Sequence, residues 1–459
     1  MNLDKIHSVY FVGIGGIGMS ALARWFHAHG RQVAGYDKTN TALTKQLQDE
    51  GIEVQFTDDA SELPAYCYDQ NTTLVIYTPA VPVDNKLLSF FQRNHFTIKK
   101  RAEVLGVLSA SYHTLAVAGT HGKTTTTTML AHILYQSGVN CSAFFGGISA
   151  NYDTNMLLGQ HDKELTMVVE ADEFDRSFLH LTPDMVAITA TDADHLDIYG
   201  DGDKCTDAFR EFAGQLRVGG QLIVHEDVAG VMEKYPYETY GVGAECDIKI
   251  SNERVEDGKM LFDVTHDSFS VSAVELPLPG HHNVLNATAA IAMASFSGVS
   301  EEEIKQALKS FKGIKRRFEI IAATSDCTFI DDYAHHPKEI DAFIDAVRLV
   351  YPDQPLTVIF QPHLFSRTRD FMRQFAQSLS KTDRLILLPI YPAREEPITG
   401  ITSDALLEMV AMEDKQVTDK ASLIDMLNPL PTGVIATLGA GDIDQSVKPI
   451  KQLMMQQHD

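Results

Sequence analysis

The sequence predicts an α/β protein of three domains: an N-terminal Rossmann-like domain over residues 1–108, a central P-loop ATPase-like domain with a mixed sheet over 109–318, and a C-terminal Rossmann-like domain over 319–459. Three observations predict it. Apolar runs of strand length alternate with helix-like stretches along the whole chain. Glycine-rich loops close two of those runs just before a helix. Polar residues cluster immediately after apolar runs, where ligands sit in parallel sheets. A length of 459 residues accommodates three domains of ordinary size.

In the first block, SVYFVG (8–13) reads as a buried strand, followed by a helical stretch and a second strand, QVAGYD (32–37). TLVIYTPAVP (73–82) is a later strand ending in a turn, and FTIKKRAEVLGVL (96–108) is strand then helix. The second block repeats the alternation in TLAVAGTHGKT (114–124), LTMVVEADE (165–173), DMVAITATDADH (184–195) and QLIVHED (221–227). Short alternating runs in 237–279, such as KMLFDVT and SFSVSAVEL, predict antiparallel strands beside the parallel ones. NVLNATAAIAMASF (283–296) and SEEEIKQALKSF (300–311) predict helices, the second capped by Ser300 with Glu303 three places on. In the third block CTFIDDYAH, LTVIFQP, DRLILLPIY and TGVIATLGAGD are strand-to-loop units, and Pro337 is placed to start a helix.

Composition narrows the function. Apolar residues make up 44% and charged residues 22%, an ordinary composition for a soluble chain with sizeable cores. Thirty-eight basic against 62 acidic residues give a net charge of -24, which argues against a broad nucleic-acid surface. Five cysteines without C-x-x-C spacing suggest reduced thiols and a cytoplasmic location. No signal peptide or membrane-spanning run is evident.

Two loops carry the strongest chemical signals. Gly119-Thr120-His121-Gly122-Lys123-Thr124, with Thr125 after it, lies between an apolar run and a helix-compatible stretch. Backbone N–H groups there can cradle phosphates, Lys123 adds a mobile cation, and Thr124 offers a hydroxyl to Mg2+. The first glycine stands two places later than in the common P-loop pattern. The other loop is Gly13-x-Gly15-Gly16-x-Gly18, with Asp37 placed after the second strand to hold a ribose hydroxyl. That pattern fits a dinucleotide or another pyrophosphate such as a UDP-sugar, or simply close packing of helix on strand. Alone, it supports an NAD-dependent oxidoreductase, a reading that leaves Gly119–Thr124 unexplained. A non-catalytic nucleotide switch is a third class.

Further candidates follow other apolar runs. Glu170, Asp172, Glu173 and Asp175 can offer a carboxylate to a metal, or form a solvated turn. His195 stands among Asp192, Asp194 and Asp197 as a candidate metal ligand. Asn283 and Asn286, three apart at a helix start, share a face and can read a base edge. Lys315, Arg316 and Arg317 form a local basic spot, and Asp332, Tyr333, His335, His336, His363, Arg367, Arg369, Arg394 and Glu395 complete the third block's polar residues.

Together these segments resemble the Mur ligase family. The resemblance rests on GIGGIGMSALA, GTHGKTTTT, EADEFDRSFLHLTPD, DADHLDIYG, GHHNVLNATAA, FKGIKRRFE, DDYAHHP, FQPHLFSRT, YPAREEP and LGAGDI, in family order from residue 13 to 443. It implies an ATP-dependent ligase, most similar to members that join L-alanine to the carboxylate of UDP-N-acetylmuramate through an acyl phosphate. It implies that Gly13, Gly15, Gly16, Gly18 and Asp37 hold the UDP-sugar. Gly119–Thr125, Asn283, Asn286, Arg317 and Asp332 then hold ATP. Thr124, Glu170 and His195 hold Mg2+, with Mn2+ as the alternative. Lys123, Glu170, His195 and Arg317 serve catalysis, and His335, His363 and Arg367 serve the amino acid and closure. Sister ligases carry a carbamylated lysine about fifteen places after the matching histidine. Arg210 or a near neighbour stands there, and arginine cannot take that modification. The expected assembly is a monomer or homodimer with small-molecule partners only.

Overall fold

The computed structural model describes residues 3–82, 84–160, 164–192, 202–393 and 395–457. Their strands form three sheets of five, ten and six strands, matching the expected three-domain α/β plan. By compactness the chain divides into two units. One comprises Met1–Glu253, Phe262–Glu275 and Leu285–Phe311, and the other Arg254–Leu261, Leu276–Val284 and Lys312–Asp459.

The first sheet contains β1 (Ser8–Val12), β2 (Gln32–Tyr36), β3 (Glu53–Gln55), β4 (Thr73–Tyr77) and β5 (Thr97–Lys100), in the order β3-β2-β1-β4-β5. All neighbours are parallel, and Ser8 is in register with both Gln32 and Thr73. Every residue of β1 is buried, as its unbroken apolar run requires of a central strand covered on both faces. Strand order reverses between β1 and β4, so the loop Gly13–Gly18 opens at the switch point.

The ten-stranded sheet contains β6 (His113–Ala118), β7 (Cys141–Ser149), β8 (Thr154–Leu157), β9 (Thr166–Glu170), β10 (Met185–Ile188), β11 (Gln221–His225), β12 (Glu238–Gly241), β13 (Ile248–Glu256), β14 (Lys259–His266) and β15 (Phe269–Leu276). Their order is β15-β14-β13-β12-β11-β10-β6-β9-β7-β8. β6 is parallel to both β9 and β10, and β12, at the start of the stretch expected to be antiparallel, pairs parallel with β11 and β13; the antiparallel pair β7–β8 lies at the other edge and makes the sheet mixed. β13 and β14 are joined by Asp257 (φ 50°) and Gly258 (φ 74°), a two-residue turn with both residues left-handed that returns the chain antiparallel. One apolar cluster joins the first two sheets, from Phe11 and Phe26 through Val104 to Ala116, Phe178, Phe209 and Phe212.

The third sheet contains β16 (Glu319–Ala323), β17 (Cys327–Asp332), β18 (Leu356–Phe360), β19 (Arg384–Leu387), β20 (Lys415–Val417) and β21 (Gly433–Leu438), in the order β16-β17-β21-β18-β19-β20. Only the edge strand β16 is antiparallel to its neighbour. Alternation along the strands supplies two cores: Ile330, Val358 and Val434 face one cluster, and Phe329, Ile359 and Ile435 the other. The expected caps form: Ser300 and Glu303 make a reciprocal capping box, and Pro337 opens the helix Pro337–Val350.

Candidate active site

β6 delivers the chain into Gly119 (φ 134°) and Gly122 (φ 80°), conformations that glycine tolerates and other residues resist. A Cβ on Gly119 would strike the Thr189 hydroxyl, and one on Gly122 would strike the Asn286 amide oxygen. The turn is pinned by Thr120 N–H donating to Ala190 O at 3.0 Å and by the Thr189 hydroxyl donating to His121 O. The helix Lys123–Gln136 begins directly after Gly122.

Lys123 Nζ donates to Gly119 O at 2.6 Å and to Glu173 Oε1 at 2.9 Å. The Glu173 side chain is 0% exposed, so this is a buried ion pair. Burial opposes the lysine's charge, but Glu173, Asp172 and Glu170 outweigh it and push its pKa up to about 12. Next to it, the Thr124 hydroxyl donates to Glu170 Oε1 at 3.0 Å, and Gly146 N–H donates to Glu170 Oε2 at 2.9 Å. Glu170 ends β9 and is in register with Val117 on β6, which sets the carboxylate beside the loop. Burial raises the Glu170 pKa, and Lys123 counteracts it.

Thr124 and Glu170 present two hard oxygen donors close together. Among the described residues, no group of three or more His, Cys, Asp or Glu forms a metal cage. A two-oxygen protein contribution suits Mg2+, which keeps water and substrate phosphate as its other ligands. His195, together with Asp194 and Asp197, lies outside the described residues. Asn286 accepts from the Thr126 hydroxyl at 3.3 Å, which places it on the loop side of its helix. Asn283 donates to Pro279 O at 2.7 Å. Arg210 pairs with Asp207 at 2.6 Å and donates to Val231 O at 3.0 Å.

The first-sheet loop is built differently. Gly13 has φ 91°, and Gly15 N–H donates to Asp37 Oδ2 at 2.7 Å. Asp37 Oδ1 accepts from Thr39 N–H at 3.0 Å, so both its oxygens hold the loop and its neighbour. Gly16 is the N-cap of the helix Ile17–Ala28, and Gly18 lies in its first turn.

In the second compact unit, β17 ends at Asp332, whose carboxylate accepts from Phe318 N–H at 2.6 Å and Ala334 N–H at 2.7 Å. Burial raises its pKa to about 6 against the pull of Arg317. Arg317 lies 3.6 Å from Glu339 and over the Tyr333 ring at 5.3 Å. It sits between Arg316 (φ 63°) and Phe318 (φ 46°), two left-handed residues without glycine's freedom. His335 bonds Tyr333 O at 2.9 Å and lies 3.3 Å from Glu339. Its ring is 6.1 Å from that of His363, which stacks on Tyr391. Burial, with His335 and Arg367 nearby, lowers the His363 pKa to about 4. Arg317, Asp332, His335 and His363 thus gather at the ends of β17 and β18. Arg394 lies outside the described residues; Glu395 accepts from Ser366 N–H at 2.9 Å.

The structure brings together Lys123, Thr124 and Glu170, which the sequence had singled out; the sequence left Glu173 as one acid among four. Its role as the buried partner of Lys123 depends on a turn through Asp175 and Arg176, both at φ 53°. Glu339 and Tyr391 also went unnoticed, because their importance arises only from the helix and loop that bring them to the strand ends.

Two phosphate-type loops in one chain, the second with its lysine, threonine and carboxylate together, define a nucleotide-dependent enzyme. Known domains match in the same order: the Mur ligase family catalytic domain at residues 8–113, the Mur ligase middle domain at 117–294, and the Mur ligase glutamate ligase domain at 316–442. The chain belongs to the Mur ligase family. It is 50% identical to the UDP-N-acetylmuramate–L-alanine ligase of Cytophaga hutchinsonii, over 100% of this chain and 99% of that one. Identity is 46% to the ligase of the same name from Christiangramia forsetii, over 99% of each chain. The crystal structure of the UDP-N-acetylmuramate–alanine ligase of Thermotoga maritima superposes with a TM-score of 0.82 at 27% identity, covering 98% of this chain and 99% of that one.

Proposed function

We infer that this chain joins L-alanine to the carboxylate of UDP-N-acetylmuramate at the expense of ATP, in peptidoglycan precursor synthesis. The observation that carries this reading is the convergence of Lys123, Thr124 and Glu170 at the ends of β6 and β9, in a chain 44–50% identical along its length to relatives of that name.

The chemistry requires a carboxylate to become an acyl donor. In our reading the Gly119–Thr125 loop holds the triphosphate, and Lys123 turns from Glu173 to its outer phosphates. Thr124 and Glu170 hold Mg2+, with Mn2+ as the alternative, which when bound neutralises charge on the transferring phosphoryl group. The acyl phosphate is then attacked by the amine of alanine, giving UDP-N-acetylmuramoyl-L-alanine, ADP and phosphate. Gly13, Gly15, Gly16 and Gly18 hold the sugar nucleotide, with Asp37 setting the loop's shape. Asn283, Asn286, Arg317 and Asp332 serve ATP, His195 serves the metal and the carboxylate, and His335, His363 and Arg367 serve the amino acid. The working division is residues 1–108 for the sugar nucleotide, 109–318 for ATP and 319–459 for the amino acid and closure. Alignment of this kind is worth roughly 7–11 kcal/mol in well-oriented systems.

No described helix is long and apolar enough to cross a membrane, and all five cysteines are buried free thiols. The free thiols suit our assignment to the cytoplasm; the assembly we propose is a monomer or homodimer.

The test is phosphate release with ATP, UDP-N-acetylmuramate and each amino acid in turn. Release that depends on L-alanine is expected. Release that requires a murein tripeptide instead would point to a recycling ligase, and binding of ATP without amino-acid-dependent release would overturn the ligase reading.

A further inference from the structure

Lys99, Lys100 and Arg101 end β5 and open the helix Arg101–Ser111. Lys99 is satisfied by Glu103 at 2.7 Å, and Lys100 by Asp175 at 2.8 Å. Arg101 is not. Its side chain is only 24% exposed, yet among the described residues its single polar partner is Asp172 at 3.6 Å, beyond hydrogen-bond length. A guanidinium has five N–H donors to satisfy.

Two other arginines in the same unit, one more buried and one slightly less, make several hydrogen bonds each. Arg24 makes two bonds to Glu50, at 2.7 and 2.8 Å, and one to Asn155. Arg217 binds Asp184 and the carbonyls of Tyr112, Ser109 and Ala110.

The position of Arg101 is as informative as its lack of bonds. A Cβ on Gly18 would fall 2.6 Å from Arg101 Nη1 and 3.1 Å from its Cδ, so the guanidinium lies directly against the glycine loop. The first intrahelical bond there runs from Ser20 N–H to Gly16 O, which leaves the preceding N–H groups without helical partners. A cation beside the positive end of a helix is unfavourable unless an anion lies between them. Asp172, at 3.6 Å, is a distant substitute for one.

We propose that Arg101 is a further substrate-binding residue, which takes the diphosphate of the sugar nucleotide at the Gly13–Gly18 loop and gives up Asp172 to do so. This rests on the assignment of that loop to the sugar nucleotide. It adds a link between the two loops, because Asp172 lies between Glu170 and Glu173 in the chain.

Calorimetric titration with UDP-N-acetylmuramate, UDP and uridine tests it, using the intact chain and the variants Arg101→Gln, Arg101→Lys and Asp172→Asn. In Arg101→Gln, both diphosphates should bind about tenfold or more weakly, as expected for loss of a charged hydrogen-bond donor, with uridine and ATP binding unchanged. Arg101→Lys should recover part of the loss, and saturating sugar nucleotide should restore most of kcat. Asp172→Asn, which leaves Arg101 in place without its present partner, should tighten UDP binding.

Equal UDP affinity in Arg101→Gln and the parent would overturn the proposal, as would equal losses for uridine and UDP. If Arg101→Gln fails to fold, Asp172→Asn decides: unchanged or weaker UDP binding there rejects the proposal. Failure of the parent chain to bind UDP-N-acetylmuramate at all would instead remove the loop assignment beneath it.

Discussion

The loops Gly13–Gly18 and Gly119–Thr124 share one local design, a buried parallel strand, a left-handed glycine and a helix start. They differ in what their acids do. In the first, Asp37 accepts backbone N–H groups and shapes the loop. In the second, Glu173 binds the lysine and Glu170 binds the threonine. The same fold therefore gives a loop shaped by its own acid in one sheet, and in the other a loop whose lysine and threonine are held by acids. Side chains on neighbouring strands make that difference, and the glycine pattern does not reveal it.

The largest test of this contrast is Lys123→Ala. Loss of a cation specific to phosphoryl transfer should cut kcat about a thousandfold or more, while sugar-nucleotide affinity, read by calorimetry, stays near the parent value. The same change removes the lysine from the buried Glu173 carboxylate, a loss of buried pairing that should appear as a lower Tm. Glu170→Gln comes next. It should reduce turnover on the order of a hundredfold and raise the Mg2+ concentration needed for half-maximal rate. An unchanged metal titration would remove Glu170 from the site.

Alanine in each loop sharpens the comparison. Gly119→Ala meets both a left-handed φ and the Thr189 hydroxyl, and should cost about 2–4 kcal/mol in urea unfolding. Gly16→Ala has ordinary backbone angles and no neighbour closer than 3.7 Å, so its effect should stay within about 1 kcal/mol. Equal losses would mean that the two loops are built alike after all.

The smallest effect concerns pH. The Asp332 pKa is raised from 3.8 to about 6, so between those values the folded state holds a proton that the unfolded state has lost. Stability from this group therefore falls as pH rises from about 4 to about 6, by an amount of order 1–3 kcal/mol. Asp332→Asn should flatten that part of the stability profile, and an unaltered slope would contradict the assignment.

Much of this was legible from residue pattern. Unbroken apolar runs marked β1, β6 and β18, because central parallel strands are covered on both faces. Ser300 and Pro337 marked helix starts through local chemistry alone. β7 and β8 were not foreseen. CSAFFGGIS carries two glycines and no clean alternation, and its strand character comes from pairing with β9. Asn283 and Asn286 were rightly put on a helix start, but spacing could not show that one would bond Pro279 and the other face Gly122. Arg101 carried no signal, since its significance lies in bonds it lacks.

The buried contact between Lys123 and Glu173 has one more consequence. In the ATP site we propose, nucleotide does not arrive at a bare cation; it must displace the carboxylate already paired with Lys123. Measured ATP affinity therefore reports the difference between two partners of Lys123 rather than the strength of either. On that reading, once phosphate departs the displaced carboxylate returns to the lysine, so Glu173 would resist entry and assist clearance of the spent site.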